Sequence, residues 1–189
     1  MKYLPRQDWT LAARGTLNDA AQPAADRQLA LAADGARLPI LYGRDRRGGL
    51  IANVVPLSGD MLVQCIWGHG PIDAIEAVYL NDEQVDNWRV NQTHYLGTPG
   101  QGVDPWLQAA FAAKGISYGD TLPGVAYSVF RVSSSKFDVG FTALLRGRPL
   151  YDPRSGLTAW SANPALVLAD FLASPDYGCN RTVAWASVA

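Results

Sequence analysis

Apolar residues recur at every second position over several short runs of this chain and at helical spacing over few. LPILYG (38–43) and LIANVVPL (50–57) are β-rich runs around GRDRRGG. They predict a hairpin whose glycine-containing turn carries Arg44, Arg46 and Arg47 at a basic tip. In DMLVQCIWGHG (60–70), Met61, Val63, Cys65 and Trp67 share one face and Leu62, Gln64 and Ile66 the other. Both faces are mostly apolar, which predicts a strand at the centre of a sheet. IDAIEAVYL (72–80) and EQVDNWRV (83–90) flank Asn81-Asp82, a tight-turn pair. VAYSVFRV (125–132) and FDVGFTALL (137–145) flank SSSK, and the second run sets Phe137, Val139, Phe141, Ala143 and Leu145 on one face.

The helical pattern is confined to short stretches. Asp104 caps a helix with Pro105 at its first position and Gly115 as terminator, and Leu107, Ala110 and Phe111 form its apolar stripe. Asn163 and Pro164 open a second helix over about 164–173, which Ser174-Pro175 ends. Asn180-Arg181-Thr182 reads as a third helix start, with Trp185 and Val188 on its apolar side. NQTHYLGTPGQGV (91–103) reads as a loop.

These elements predict an α+β class, mainly antiparallel β with two or three short helices. Residues 1–37, rich in Ala, Gln and Asp, read as an extended N-terminal arm with one short helix near 24–33. Residues 38–189 read as one β-rich domain, with 91–118 a loop-helix insertion and 163–189 a helical C-terminal part. A helix barely begun at 182–189 is too short to stand alone, so the chain is expected to continue in a longer polypeptide.

Composition narrows the function classes. Of 189 residues, 48% are hydrophobic and 17% charged, a globular profile with a charged share low enough to suit burial against partners. The net charge of −1 argues against bulk nucleic-acid binding. No window approaches the ~18 consecutive apolar residues of a membrane span. MKYLPRQDWTLAARG lacks a signal-peptide core, so the default location is a cytosol.

Candidate chemistry is sparse. Cys65 and Cys179 lie far apart and His69 and His94 have no ligand spacing, so no metal site is expected. GTPGQG (97–102) opens a helix but lacks a phosphate-binding lysine, and no GxSxG presents a serine nucleophile. Asp60, Asp73, Glu76, Asp82, Glu83 and Asp86 make 48–88 purely acidic, yet no spacing singles out a glycosidase pair. Carboxylates at strand ends and turns are ordinarily solvated. NQT (91–93) fits a glycosylation sequon, relevant only in a secreted eukaryotic protein. The six tryptophans suit core packing or interface anchoring better than a sugar platform. No catalytic residue, cofactor or metal is expected. The basic 44–47 turn, the acidic 48–88 segment and the basic 144–154 elbow give opposite patches suited to head-to-tail contacts between copies.

FDVGFTALLRGRPLYDPRSGLTAWSANPALVLADFLASPDYG resembles a segment of phage tail tip attachment proteins, also called host-specificity or central tail fibre proteins. The matching residues are Gly147, Arg148, Tyr151, Asp152, Pro153, Arg154, Gly156, Trp160, Asn163, Pro164, Tyr177 and Gly178. LPILYGRDRRGG and GHGPIDAIEAVYLND fit more loosely, and the resemblance covers roughly 38–189. It implies a hub-type β domain in a homotrimer that closes the distal end of a long non-contractile tail. It also implies a place at the virion tail tip, assembly in the host cytoplasm, and neighbours such as the distal tail ring and the tape measure. No direct sequence-specific nucleic-acid contact and no stable membrane insertion are expected. Within the elbow, Asp152 can accept N–H bonds at its own turn, Pro153 rigidifies it, and Arg148 and Arg154 remain free for carboxylates. Arg148, Tyr151, Asp152, Pro153 and Arg154 are thus either a subunit contact or an intrachain corner. Family members are several times longer, so receptor binding is not assigned to these residues. The rival readings are a tail-associated cell-wall hydrolase, which needs facing carboxylates or a metal, and a carbohydrate-binding module, which needs aromatic rings on one exposed face.

Overall fold

The computed structural model describes residues 38–57, 59–85, 90–133 and 140–183. Outside these residues lie the 1–37 arm, Asp86 and Trp88 at the end of the 83–90 run, residues 134–136 of the SSSK turn with the face positions Phe137 and Val139, and Trp185 with Val188. The first four-stranded sheet has the order β2 (Leu50–Leu57), β3 (Asp60–His69), β7 (Val125–Ser133), β6 (Asn91–Leu96). The second has the order β1 (Arg44–Gly48), β8 (Phe141–Arg146), β4 (Ala74–Leu80), β5 (Glu83–Val85). A hairpin of β9 (Pro149–Asp152) and β10 (Leu157–Trp160) follows, and every pairing between named strands is antiparallel. The helices are α1 (Pro105–Ala112) and α2 (Pro164–Ala173).

The core explains the layering. Val63, Cys65 and Trp67 of β3 and Ala126, Phe130 and Val132 of β7 pack with Val78 of β4 and Phe141, Ala143 and Leu145 of β8. The two sheets therefore meet face to face. On the other side of the first sheet, Val55, Leu62, Tyr127 and Val129 pack against Leu107 and Ala110 of α1. β3 is central and apolar on both faces because one face meets a sheet and the other a helix. The expected alternation of Phe141, Ala143 and Leu145 appears as three buried residues between half-buried neighbours. Asn81 and Asp82 turn the chain with φ of 46° and 69°, the backbone that a two-residue hairpin requires.

Four expectations are corrected: the class, the third helix start, the 38–57 hairpin and the 91–96 loop. Among the described residues strands account for 47% and helices, two in number, for 13%, so the class is mainly β rather than α+β. The helices number only eight and ten residues: α1 covers the outer face of the first sheet and α2 lies against β9. Residues 181–183 are not helical.

The basic turn is a strand. β1 pairs with β8 and β2 with β3, so 38–57 is not a hairpin but a crossing from one sheet to the other. At the crossing Gly49 donates to Phe141 O at 3.1 Å, and a Cβ there would lie 2.0 Å from Cys65 Sγ. Arg44, Arg46 and Arg47 read as a turn because charge is rare inside sheets. Arg44 and Arg46 fit a strand because the outer face of the second sheet offers them carboxylates.

Residues 91–96, expected as loop and insertion, are the edge strand β6. Its polar run finds partners inside the fold: Thr93 and Tyr95 both donate to Asp104 Oδ2, at 2.6 and 3.2 Å, and the Tyr95 ring stacks on Tyr127 at 4.5 Å. Asp104, fully buried, also caps α1 by accepting from the backbone N–H groups of Trp106 and Leu107 at 2.9 Å.

Candidate functional site

The elbow begins where β8 ends. Gly147 N donates to Gly43 O at 2.7 Å and Arg148 N to Leu41 O at 2.8 Å, so the strand stays tied to residues 41–43 after its ladder stops. A Cβ on Gly147 would lie 2.3 Å from Leu41 O, which leaves only glycine at this contact. From the opposite side, Asp73 N donates to Gly147 O at 2.9 Å.

Arg148 then turns back into the molecule. Its guanidinium donates to Gly70 O at 3.3 Å, lies 4.7 Å from the centre of the Tyr177 ring, and stands 3.9 Å from Asp170 Oδ2. Its side chain is 20% exposed. Asp170 Oδ2 also accepts the hydroxyls of Tyr42 at 2.6 Å and Tyr177 at 2.7 Å. Burial, followed by the bond to Asp170, pushes both tyrosine hydroxyls above their ordinary range. Asp170 thus joins the segment before β1, the residue after the elbow glycine, α2 and the chain beyond α2. Nothing in the sequence patterns singled it out, although it is the lone charge in PALVLADFLA.

Arg154, at the far end of β9, has a different partner. Its backbone N and its Nε donate to Asp152 Oδ1, both at 2.9 Å, and its Nη2 to Oδ2 at 2.7 Å. These bonds hold the Asp152 carboxyl below its usual range and push Arg154 up. Gly156 N closes the turn onto Asp152 O at 2.8 Å. The turn therefore carries Pro153 and an internally paired charge, while Tyr151 is 44% exposed beside it. The hairpin was not expected from the sequence, which read the same residues as a bend before a helix. Trp160 secures its base by donating to Gly43 O at 3.2 Å. The structure does not bring Arg148 and Arg154 together as one basic patch, and the carboxylates each one meets belong to this same chain.

The other basic residues also meet their own chain. Arg44 Nε contacts Glu76 Oε2 at 2.7 Å, and Arg46 Nη2 contacts Asp82 Oδ1 at 2.6 Å while its guanidinium lies 3.9 Å from the Tyr79 ring centre. Arg146 reaches Asp73 at 2.8 Å and Glu76 at 3.5 Å. A bulge between Ile75 and Ala77 aims Glu76 at both arginines. Asp60 pairs with Arg131 at 2.7 Å. Asp60, Asp73, Glu76 and Asp82 are thus arginine-paired rather than simply solvated. Arg47 alternates away from this face, opposite Ala143 of β8.

Of the two histidines, His94 Nδ1 lies 2.7 Å from Ser128 Oγ, which also accepts from Trp67 Nε1 at 2.8 Å. Ser128 is fully buried and committed to these two rings, so it offers no nucleophile to a substrate. Burial lowers the His94 imidazole from its ordinary range. His69 packs on the Tyr177 ring at 5.9 Å. Trp67 is in the inter-sheet core, Trp106 packs with the α1 cluster and Trp160 braces the hairpin, so these three do not form one aromatic face; Trp88 lies outside the described residues. No group of three or more metal-ligating side chains occurs among the described residues. Beside α2, an open groove of about 490 Å³ is lined by Tyr42, Pro164, Val167, Leu168 and Phe171 among others.

No family model matches this chain, and no curated protein matches it. Among solved structures it is similar to a chain from the "Virion of native gene transfer agent (GTA) particle", with a TM-score of 0.47 and 15% identity. The similarity covers 79% of this chain and 40% of that one, so this chain spans well under half the length of the virion protein.

Proposed function

We propose that this chain is a structural protein of a virion and forms part of the trimeric hub of a phage tail tip. The observation that carries the reading is the 141–178 block. Several of the residues it shares with tail tip attachment proteins build one interlocked corner, Gly147 against Leu41, Arg148 on Tyr177, Trp160 on Gly43 and Asn163 capping α2, while Asp152 with Arg154 closes the far end of the hairpin. A motif whose residues hold a corner suits a structural scaffold protein. In this reading the chain has no enzymatic activity, and its partners are two further copies, the distal tail ring and the tape measure. Electron microscopy of assembled particles tests it: the domain is expected as a ring of three around the tail channel. A single peripheral copy sinks the hub, and cell-wall hydrolysis abolished by one carboxylate substitution sinks the structural role.

A further inference from the structure

Four of the six large apolar side chains exposed among the described residues fall within 151–171: Tyr151, Leu157, Leu168 and Phe171. They belong to the β9–β10 hairpin and to α2, which lies against β9. Apolar surface gathered on two adjoining elements marks a contact with another protein. Two complementary shapes are present. Leu168, 57% exposed, and Phe171, 41% exposed, line the open groove of about 490 Å³ beside α2. Leu157, the most exposed of the six at 65%, stands where β10 leaves the hairpin turn. Neither shape carries an unpaired charge. Asp170, the one charge of α2, is engaged by Tyr42, Tyr177 and Arg148, and Asp152, across the hairpin from Leu157, is paired with Arg154 at 2.7 Å. A charged partner finds no counter-charge here, whereas two copies of the chain meet here without repulsion.

The hairpin does not plug its own groove. Trp160, at the opposite end of β10 from Leu157, donates to Gly43 O, and Gly43 lines the groove. The base of the hairpin therefore adjoins the groove. Three residues of strand, about 10 Å, separate Leu157 from that base, and Leu157 is not part of the groove's lining. Each copy thus presents a plug and a socket at separate places, which is what a head-to-tail contact between copies requires.

We propose that Leu157 at the hairpin turn of one copy seats in the α2 groove of the next, so that the occupant of the groove is a second copy held head to tail. The proposal deepens the hub reading and rests on it for the closure of the ring at three. Sedimentation of the full chain tests it. The parent should associate as its concentration rises. Leu157→Asp and Leu168→Asp should each weaken that association about tenfold or more. Both should retain the circular dichroism and urea midpoint, because the two side chains are already mostly exposed. Leu157→Ser and Leu168→Ser, milder changes, repeat the measurement where an aspartate disturbs the fold. Mixed together, the two aspartate variants should form a heterodimer that grows no further: the first keeps a socket, the second a plug, and one contact joins them. A parent that stays monomeric to millimolar concentration would hand the groove to a different protein and overturn the proposal. Undiminished association of either variant, or a mixture that yields no heterodimer, would overturn it as well. Parent assemblies other than trimers, lost in both variants and restored as a heterodimer on mixing, would support the contact and count against the hub's three copies.

Discussion

The Tyr42 hydroxyl donates to Asp170 Oδ2 across 2.6 Å, joining two residues 128 positions apart. The same oxygen accepts from Tyr177 and faces Arg148. One carboxylate therefore clamps the start of the β region to the helix that closes it. Asp170→Ala leaves two hydroxyls without their acceptor and Arg148 without its counter-charge, and should cost about 2–4 kcal/mol. Tyr42→Phe removes one bond and should cost about 1–2 kcal/mol. Urea denaturation of the two variants measures both, and equal losses would show that Tyr42 alone carries the clamp.

Arg148 and Arg154 should behave differently. Arg148→Glu sets a second carboxylate beside Asp170 in a half-buried place and should destabilise by about 2–3 kcal/mol. Arg154 is solvent-exposed and its partner is two residues away, so Arg154→Glu should leave the urea midpoint almost unchanged. Equal effects of the two reversals would disprove the distinction.

Glycine at the elbow is a packing requirement. Gly147→Ala forces a methyl to within 2.3 Å of a backbone oxygen that already accepts a hydrogen bond. The loss should be about 3 kcal/mol or more, because the obstacle is backbone and cannot rotate away. Thermal unfolding of Gly147→Ala beside Gly48→Ala checks this, since a Cβ at Gly48 meets nothing within 4 Å.

The tyrosines forecast an alkaline limit. Burial foremost pushes Tyr95 up to about 12 and raises Tyr42, Tyr118, Tyr127 and Tyr177. Unfolded tyrosine releases its proton near pH ~10. Between about pH 10 and 12 the native state therefore holds more protons than the unfolded state, and stability must fall as pH rises. Denaturation midpoints across that range should drop steeply, with tyrosinate absorbance appearing as the chain unfolds. A flat profile would contradict the burial of these hydroxyls.

Glu76 between Arg44 and Arg146 gives a salt-dependent term. The three side chains are 28–54% exposed, so Glu76→Gln should cost only about 0.5–1 kcal/mol, and the difference from the parent should shrink in molar salt. Paired urea titrations at low and high salt read it directly.

What the sequence determined by itself was local. The alternation in 60–67 and 125–132 made central strands, Asn81-Asp82 a tight turn, and Asp104-Pro105 and Asn163-Pro164 helix starts, because each signal acts within a few residues. The resemblance in 141–178 likewise marked residues of the elbow and of the hairpin turn, without showing what each one touches. Tertiary structure decided the rest. Arg44 and Arg46 became strand residues because the carboxylates of Glu76 in β4 and Asp82 in the turn after it lie across the sheet, more than 30 positions away. Polar 91–96 became a strand because Thr93 and Tyr95 found Asp104 and because β7 supplied the ladder. Asp170 became the clamp through Tyr42, at a separation no periodicity reports. Backbone pairing and ion pairing between distant segments depend on which chains the core brings together, and only the packed sheets settle that.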